Sequence, residues 1–164
     1  MVHARLNTAE ESSGKLVTEV RHHAEAVAKH KEKDVVLIDG PPGVGCPVIS
    51  AITGVDLVVV VTEPTLSGIH DLERVIDVAN HFEIPQAVII NKKDINPKKT
   101  SEIKSFCKKH NIPLLGSIPY DTLVTKAMIE EKAIPEYDKG AVTSSINQAW
   151  ESLSQLLDLS IDEP

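Results

Sequence analysis

At 164 residues, 41% of them hydrophobic, the chain is one domain's worth of protein with enough apolar mass to bury a core. Aromatic residues make up only 3%, so that core must be built from Val, Ile, Leu and Ala, which suits buried parallel strands under helices. A net charge of −7 argues against holding nucleic acid or an anionic membrane by bulk charge, and two cysteines outside any CxxC pair argue against a disulfide framework or a zinc knuckle. With no apolar run of membrane-spanning length and no signal-peptide pattern, the expected compartment is the cytoplasm.

In chain order, residues 1–13 are polar and expected to be irregular. From Lys15 to His30 the apolar Leu16, Val20, Ala24 and Val27 recur at helical steps, with Ser12 and Ser13 upstream as candidate caps. Four aliphatic runs follow, VVLID (35–39), LVVVV (57–61), AVIIN (87–91) and PLLGSI (113–118). Their unbroken apolar character predicts strands buried on both faces. Helical periodicity returns between the later runs, on Ile69, Leu72, Val75, Ile76, Ala79 and Phe82 and then on Ile103, Phe106 and Cys107. Two closing helices are predicted, Thr122 to Glu131 behind an Asp121 cap, and Val142 to Asp158 with Ile146, Trp150, Leu153 and Leu157 on its apolar face. Alternating strand and helix predicts a single α/β domain over 1–164, a parallel sheet with helices on both faces.

Ligands of open parallel sheets bind beyond the carboxyl ends of the strands. Those ends carry Asp39-Gly40-Pro41-Pro42-Gly43, then Thr62-Glu63-Pro64, then Asn91-Lys92-Lys93-Asp94, then Pro119-Tyr120-Asp121. A strand-end carboxylate such as Asp39 either caps its strand or holds the water shell of a Mg²⁺ beside nucleotide phosphates. The sequel Gly40-Pro41-Pro42-Gly43 favours the second reading, because glycines admit a phosphate to the backbone and prolines preset the turn. Asn91 to Asp94 fits N-K-x-D, in which Asn meets a purine edge, the Lys stem lies over the ring and Asp accepts from guanine. Two features weigh against guanine: Pro42 stands where a D-x-x-G needs glycine, and Ser-Ile-Pro-Tyr-Asp replaces a Ser-Ala-Lys loop.

No G-x-x-x-x-G-K-[ST] occurs, and the one near miss, Ala9 to Leu16, lacks the first glycine, the hydroxyl and a preceding strand. Cys46, before Pro47 at the start of a short helix, reads as a buried structural thiol rather than an activated thiolate. His22, His23 and His30 read as a solvated helix face rather than a metal site, and Lys92, Lys93, Lys98 and Lys99 as a loop and an exposed helix start.

The order of SSGKLVTEVR (12–21), VVLIDGPPGVGCPVISAITGVD (35–56), TEPTLSGIHDLERV (62–75), INKKDIN (90–96) and SIPYD (117–121) resembles the carboxyl-terminal part of a MinD/ParA/Mrp-type P-loop ATPase. The likeness is strongest to MinD-superfamily ATPases with an inserted ferredoxin-like iron–sulfur domain. The resemblance implies a SIMIBI-like P-loop fold, with the amino-terminal P-loop strand and its lysine loop missing from these residues. It also implies an adenine-nucleotide switch binding ATP or ADP with Mg²⁺. Asp39 would be the catalytic carboxylate ordering water around the metal, Gly43 would offer its N–H to the γ-phosphate with Gly40 beside the nucleotide, and Asn91 would read adenine. Lys92, Asp94, Pro119, Tyr120 and Asp121 would complete the base pocket, and the TEPT loop would lie near the site and a dimer face. The resemblance further implies a nucleotide-bridged homodimer with iron–sulfur or electron-transfer partners. The cluster would belong to the full-length protein, because these residues hold no cluster-binding cysteine motif. On that basis the chain is expected to be part of a longer ATPase domain, inactive in hydrolysis alone and exposing an unsatisfied strand edge.

Three other readings stay open. A phospho-receiver domain would use Asp39, Thr62 and Lys92, but no acidic pair is available for its Mg²⁺. A scaffold module would keep the fold without the nucleotide, and a GTPase would use Asn91 to Asp94 on guanine.

Overall fold

The computed structural model describes residues 1–3 and 14–159. The candidate caps Ser12 and Ser13, and nearly all of the irregular segment expected over 1–13, lie outside the described residues. The chain divides into two compact units, Met1–Asp56 with Arg74–Ile84, and Leu57–Glu73 with Pro85–Pro164.

The first unit begins with helix α1, Gly14–His30, and packs it against the short helix α2, Cys46–Ile52. Two small contacts make the fit close. A Cβ on Gly14 would meet the Ser50 hydroxyl, with the Cys46 carbonyl oxygen 3.3 Å away. From α1, Arg21 Nη1 donates to the carbonyls of Ser50 at 2.7 Å and Thr53 at 2.6 Å, a cation placed at the carbonyl end of α2 where the helix dipole favours it. His22, His23 and His30 are exposed on α1, as a solvated face requires.

Residues 35–39, expected to be a buried strand, pair with no strand among the described residues. Val35 and Val36 are 39% and 37% exposed, and Leu37 is 81% exposed. The physical reason is that a β-strand is defined by its ladder: aliphatic side chains supply the propensity, but the backbone N–H and C=O groups need a neighbour.

The second unit is built on a parallel sheet of order β1-β2-β3, with β1 at Val58–Thr62, β2 at Gln86–Ile90 and β3 at Leu114–Ser117. β1 and β2 run in register from Val58 opposite Gln86 to Thr62 opposite Ile90. Between β2 and β3 the register slips, Val88 facing Leu114 and Ile89 facing Gly116. Successive strand residues point to opposite faces, yet the adjacent Ala87 and Val88 are both 0% exposed. Both faces of β2 are therefore covered, as the unbroken aliphatic run predicts.

Helix α3 (Leu66–His81) connects β1 to β2, and α4 (Pro97–Lys109) connects β2 to β3. Pro97 opens α4 behind Asn96, whose side chain accepts from the Lys99 amide at 3.1 Å. Asp121 caps α5 (Thr122–Ile129) as predicted, accepting from Leu123 N at 2.9 Å. A four-residue helix α6, Ile134–Tyr137, too short to carry a period, precedes α7, Ala141–Leu156.

α7 lies on β3 through small residues. A Cβ on Gly116 would stand 3.0 Å from Ala149 Cβ, so glycine and alanine set the approach. The buried positions of α7 are Val142, Thr143, Ala149 and Ser154. Trp150, expected on the apolar face, is 43% exposed, because a contact this close leaves no room for an indole. No helix among the described residues is long and apolar enough to cross a membrane.

Candidate functional site

In the second unit three strand-end loops meet along the carboxyl edge of the sheet. Parallel strands in register force this: Thr62 faces Ile90, so the chain leaves β1 at Glu63 beside the point where it leaves β2 at Asn91. The Asn91 amide donates to the Thr62 carbonyl at 2.7 Å, and the Ile118 amide to the Ile90 carbonyl at 2.8 Å. Lys93 N donates to Ile118 O at 2.9 Å, so the loops after β2 and β3 are joined by backbone as well.

The side chains of the Asn91 to Asp94 loop are largely committed. Asn91 Oδ1 accepts from the Lys92 amide at 3.0 Å, which turns its Nδ2 away as a donor. Lys92 sits at φ 52°, a left-handed conformation uncommon outside glycine, and its Nζ lies 2.7 Å from Glu63 Oε1. Asp94 Oδ1 accepts from the Tyr120 amide at 2.8 Å. Thr100, buried at the start of α4, donates its hydroxyl to the Lys93 carbonyl at 2.5 Å and fixes the loop from below. Of the predicted base-pocket residues, Asn91, Lys92, Asp94 and Tyr120 are thus linked by hydrogen bonds and backbone continuity. Pro119 and Asp121 flank Tyr120 on the same loop, with Asp121 Oδ1 spent on the α5 cap.

The loop after β1 is equally constrained. Buried Thr62 donates to the Gly68 carbonyl at 2.9 Å, and Gly68 N donates to Thr65 Oγ1 at 2.9 Å. A Cβ on Gly68 would collide with the Glu63 carbonyl oxygen, which explains the glycine in TEPTLSG.

In the first unit Asp39 is exposed, with no hydrogen-bond or ion-pair partner among the described residues. It ends an unladdered run, not the buried strand expected for it. Gly43 has φ +92°, a turn that a side chain would strain, while Gly40 is only 3.9 Å by its would-be Cβ from Ala51 Cβ. Cys46 is exposed, which corrects the expectation of a buried thiol; it stands in the first turn of α2, whose buried residues are Val48, Ala51 and Ile52. Cys107 is the buried thiol, and its burial pushes the pKa above the ordinary value.

Among the described residues no group of three or more His, Cys, Asp and Glu is placed to hold a metal. A single carboxylate at Asp39 suits a Mg²⁺ held mainly by water and nucleotide phosphates, and does not suit an all-protein cage. Within one chain, Cys46 and Cys107 form no CxxC pair, one being exposed and the other buried, and do not make up the four thiolates of an iron–sulfur cluster.

Sequence reasoning put Glu63 at a strand end without a defined role. The signal for its ion pair was the register itself, since residues following paired parallel strands emerge side by side. The Arg21 clamp had a weaker signal, a lone arginine among the half-buried positions of α1.

An uncharacterized protein of Methanocaldococcus jannaschii is 32% identical over 159 residues, covering 96% of this chain and 51% of the relative. A Drosophila grimshawi homolog of the cytosolic Fe-S cluster assembly factor Nubp1 is 29% identical, covering 57% of this chain and 37% of that protein. The chain therefore spans about half the length of the former and less of the latter. The solved septum site-determining protein MinD with Mg-ADP, from Pyrococcus horikoshii, superimposes with a TM-score of 0.72 at 20% identity, over 88% of this chain and 58% of that one. At that identity the match speaks for the fold alone. The description matching residues 13–156 is that of ParA, the NUBPL iron-transfer P-loop NTPase, and the chain belongs to this P-loop NTPase family.

Proposed function

We propose that the chain is the base-binding and switch portion of a ParA-type ATPase, taking an adenine nucleotide with Mg²⁺ and coupling it to an iron–sulfur-related task in the cytoplasm. The observation that carries this reading is the stitched carboxyl edge of the sheet, where the Lys92 amide donates to Asn91, the Tyr120 amide donates to Asp94 and the Lys92 ammonium pairs with Glu63. Such an edge is where open α/β sheets bind ligands. On this reading Asn91 contacts the base, and Lys92, Asp94, Pro119, Tyr120 and Asp121 shape its pocket. Asp39 orders the water shell of the metal, and Gly40 and Gly43 keep the backbone open to phosphate. Mg²⁺, when bound, would neutralise phosphate charge. A nucleotide-bridged homodimer fits the same reading. The likeness to a Nubp1 homolog supports the iron–sulfur association, with the cluster held outside these residues.

Calorimetric titration with ATP, ADP and GTP in the presence of Mg²⁺ tests the proposal. Heat with the adenine nucleotides, reduced by Asn91→Ala, is expected. No heat with any of the three would leave a non-catalytic scaffold as the better reading. Because the sequence has no G-x-x-x-x-G-K-[ST], little or no ATP turnover is expected from these residues alone.

A further inference from the structure

Seven of the chain's 17 lysine and arginine residues fall between residues 92 and 110, against only two of its 24 acids, Asp94 and Glu102. A basic stretch is thus set in an otherwise acidic chain. Helix α4 carries five of the seven, Lys98, Lys99, Lys104, Lys108 and Lys109. Its buried residues are Thr100, Ile103 and Cys107; at about 100° per residue, Lys98, Ser101, Ser105 and Lys109 lie on the opposite side, with Lys104 and Lys108 along one flank. Apart from Pro97, the exposed residues of α4 are lysines, the two serines and Glu102. Glu102 is matched to Lys99 at 2.6 Å, whereas Lys98, Lys104, Lys108 and Lys109 have no ion-pair partner among the described residues.

A lysine-rich helix surface is ordinarily only solvated, and two of these lysines need no other account. Lys108 and Lys109 stand in the last turn, where the helix dipole favours cations. The same dipole disfavours Lys98 in a first turn that holds no acid, and Lys104 precedes Lys108 by four residues, a like-charge spacing that weakens a helix. Helix stability does not explain Lys98 and Lys104.

We propose that the exposed face of α4 is a docking surface for an acidic protein segment, with Lys98, Lys104, Lys108 and Lys109 as its charge partners. Ser101 and Ser105 leave low ground between them: their hydroxyls turn back onto the helix, donating to the carbonyls of Pro97 at 3.1 Å and Ser101 at 2.9 Å. Charge complementarity selects the partner. A bilayer surface calls for apolar anchors, and this face has none. Nucleic-acid sites combine lysine with arginine and open aromatic rings, but α4 has no arginine, and its half-buried Phe106 has its ring 4.5 Å from that of His110. A short run of Asp and Glu on a folded partner matches the face in sign and extent, and such association is fast and salt-dependent. The inference stands apart from the nucleotide reading, because none of these side chains belongs to the strand-end loops.

The test titrates a fluorescein-labelled decaglutamate peptide into the chain, with backbone amide shifts recorded in parallel. Binding at low salt with shifts on residues 98–109 is expected, weakened about tenfold or more on raising the salt to about 0.2 M. Lys98→Glu with Lys104→Glu should weaken the peptide about tenfold, the effect of losing two exposed charge pairs. The same double variant should melt at the wild-type temperature or above it, since the dipole and the spacing to Lys108 then favour the helix. Lys31→Glu with Lys33→Glu changes the net charge equally at exposed positions outside α4, and should leave the affinity within about twofold at about 0.1 M salt. No peptide binding at low salt, or shifts confined to other segments, would overturn the proposal. Equal losses in the two double variants would do so by showing a response to net charge alone, and a lowered melt by showing that Lys98 and Lys104 serve the helix. Tighter binding of an oligothymidylate or of phosphatidylserine vesicles than of the peptide would overturn it in favour of a phosphate-bearing surface.

Discussion

Residues 35–39 and 86–90 are both short aliphatic runs, VVLID and QAVII, and the fold treats them oppositely. The second is the central strand of a sheet, with Ala87, Val88 and Ile90 at 0% exposure; the first has no ladder and leaves Leu37 81% exposed. Composition does not separate them. What separates them is a hydrogen-bonded neighbour on each side: β2 has β1 and β3, while among the described residues nothing pairs with 35–39. Aliphatic propensity is a statement about side chains, and a strand is a statement about paired backbones.

The comparison is broken most sharply by equal truncations in the two runs. Ile90→Ala removes a fully buried side chain and is expected to cost about 2 to 5 kcal/mol, whereas Leu37→Ala should fall within about 0.5 kcal/mol of wild type. Denaturant melts of both variants measure this, and equal losses would show that Leu37 is buried in solution. A smaller effect belongs to the loop after β1. Gly68→Ala forces a methyl against the Glu63 carbonyl oxygen and Thr65 Oγ1, the latter 3.0 Å away. The expected loss is about 1 to 3 kcal/mol, with a shift in the Glu63–Lys92 pair.

The smallest effect is on the thiols. Cys46 is exposed and Cys107 buried, so alkylation of the native chain should label Cys46 first and both only after unfolding. Burial raises the Cys107 pKa, so the unfolded chain ionises this thiol at lower pH than the folded one. Its contribution to stability is therefore intact below the ordinary thiol range and declines as the pH rises past about 8.5. Cys107→Ala should flatten that alkaline decline.

Much of this architecture was legible in the sequence where local chemistry decides. The runs ending at Thr62, Ile90 and Ser117 are strands because an unbroken aliphatic stretch suits a sheet covered on both faces. Asp121 caps α5 because an aspartate before Thr122 can accept an N-terminal amide. What long-range pairing decides was less legible. Nothing local told VVLID that its ladder was absent, or Trp150 that Gly116 and Ala149 would close the space beneath it. The motif at Asn91 to Asp94 was recognisable, but the contacts of its side chains with Tyr120 and Glu63 were not. Those partners lie 26 and 29 residues away in sequence, and only strand register brings them to the loop.

The central claim, that the stitched carboxyl edge of the sheet receives an adenine nucleotide, is tested most directly by amide hydrogen exchange with and without Mg-ADP. Protection is predicted at residues 91–94 and 118–121, with α7 unchanged. Unaltered exchange in both loops at saturating nucleotide, or protection confined to other segments, would contradict the account.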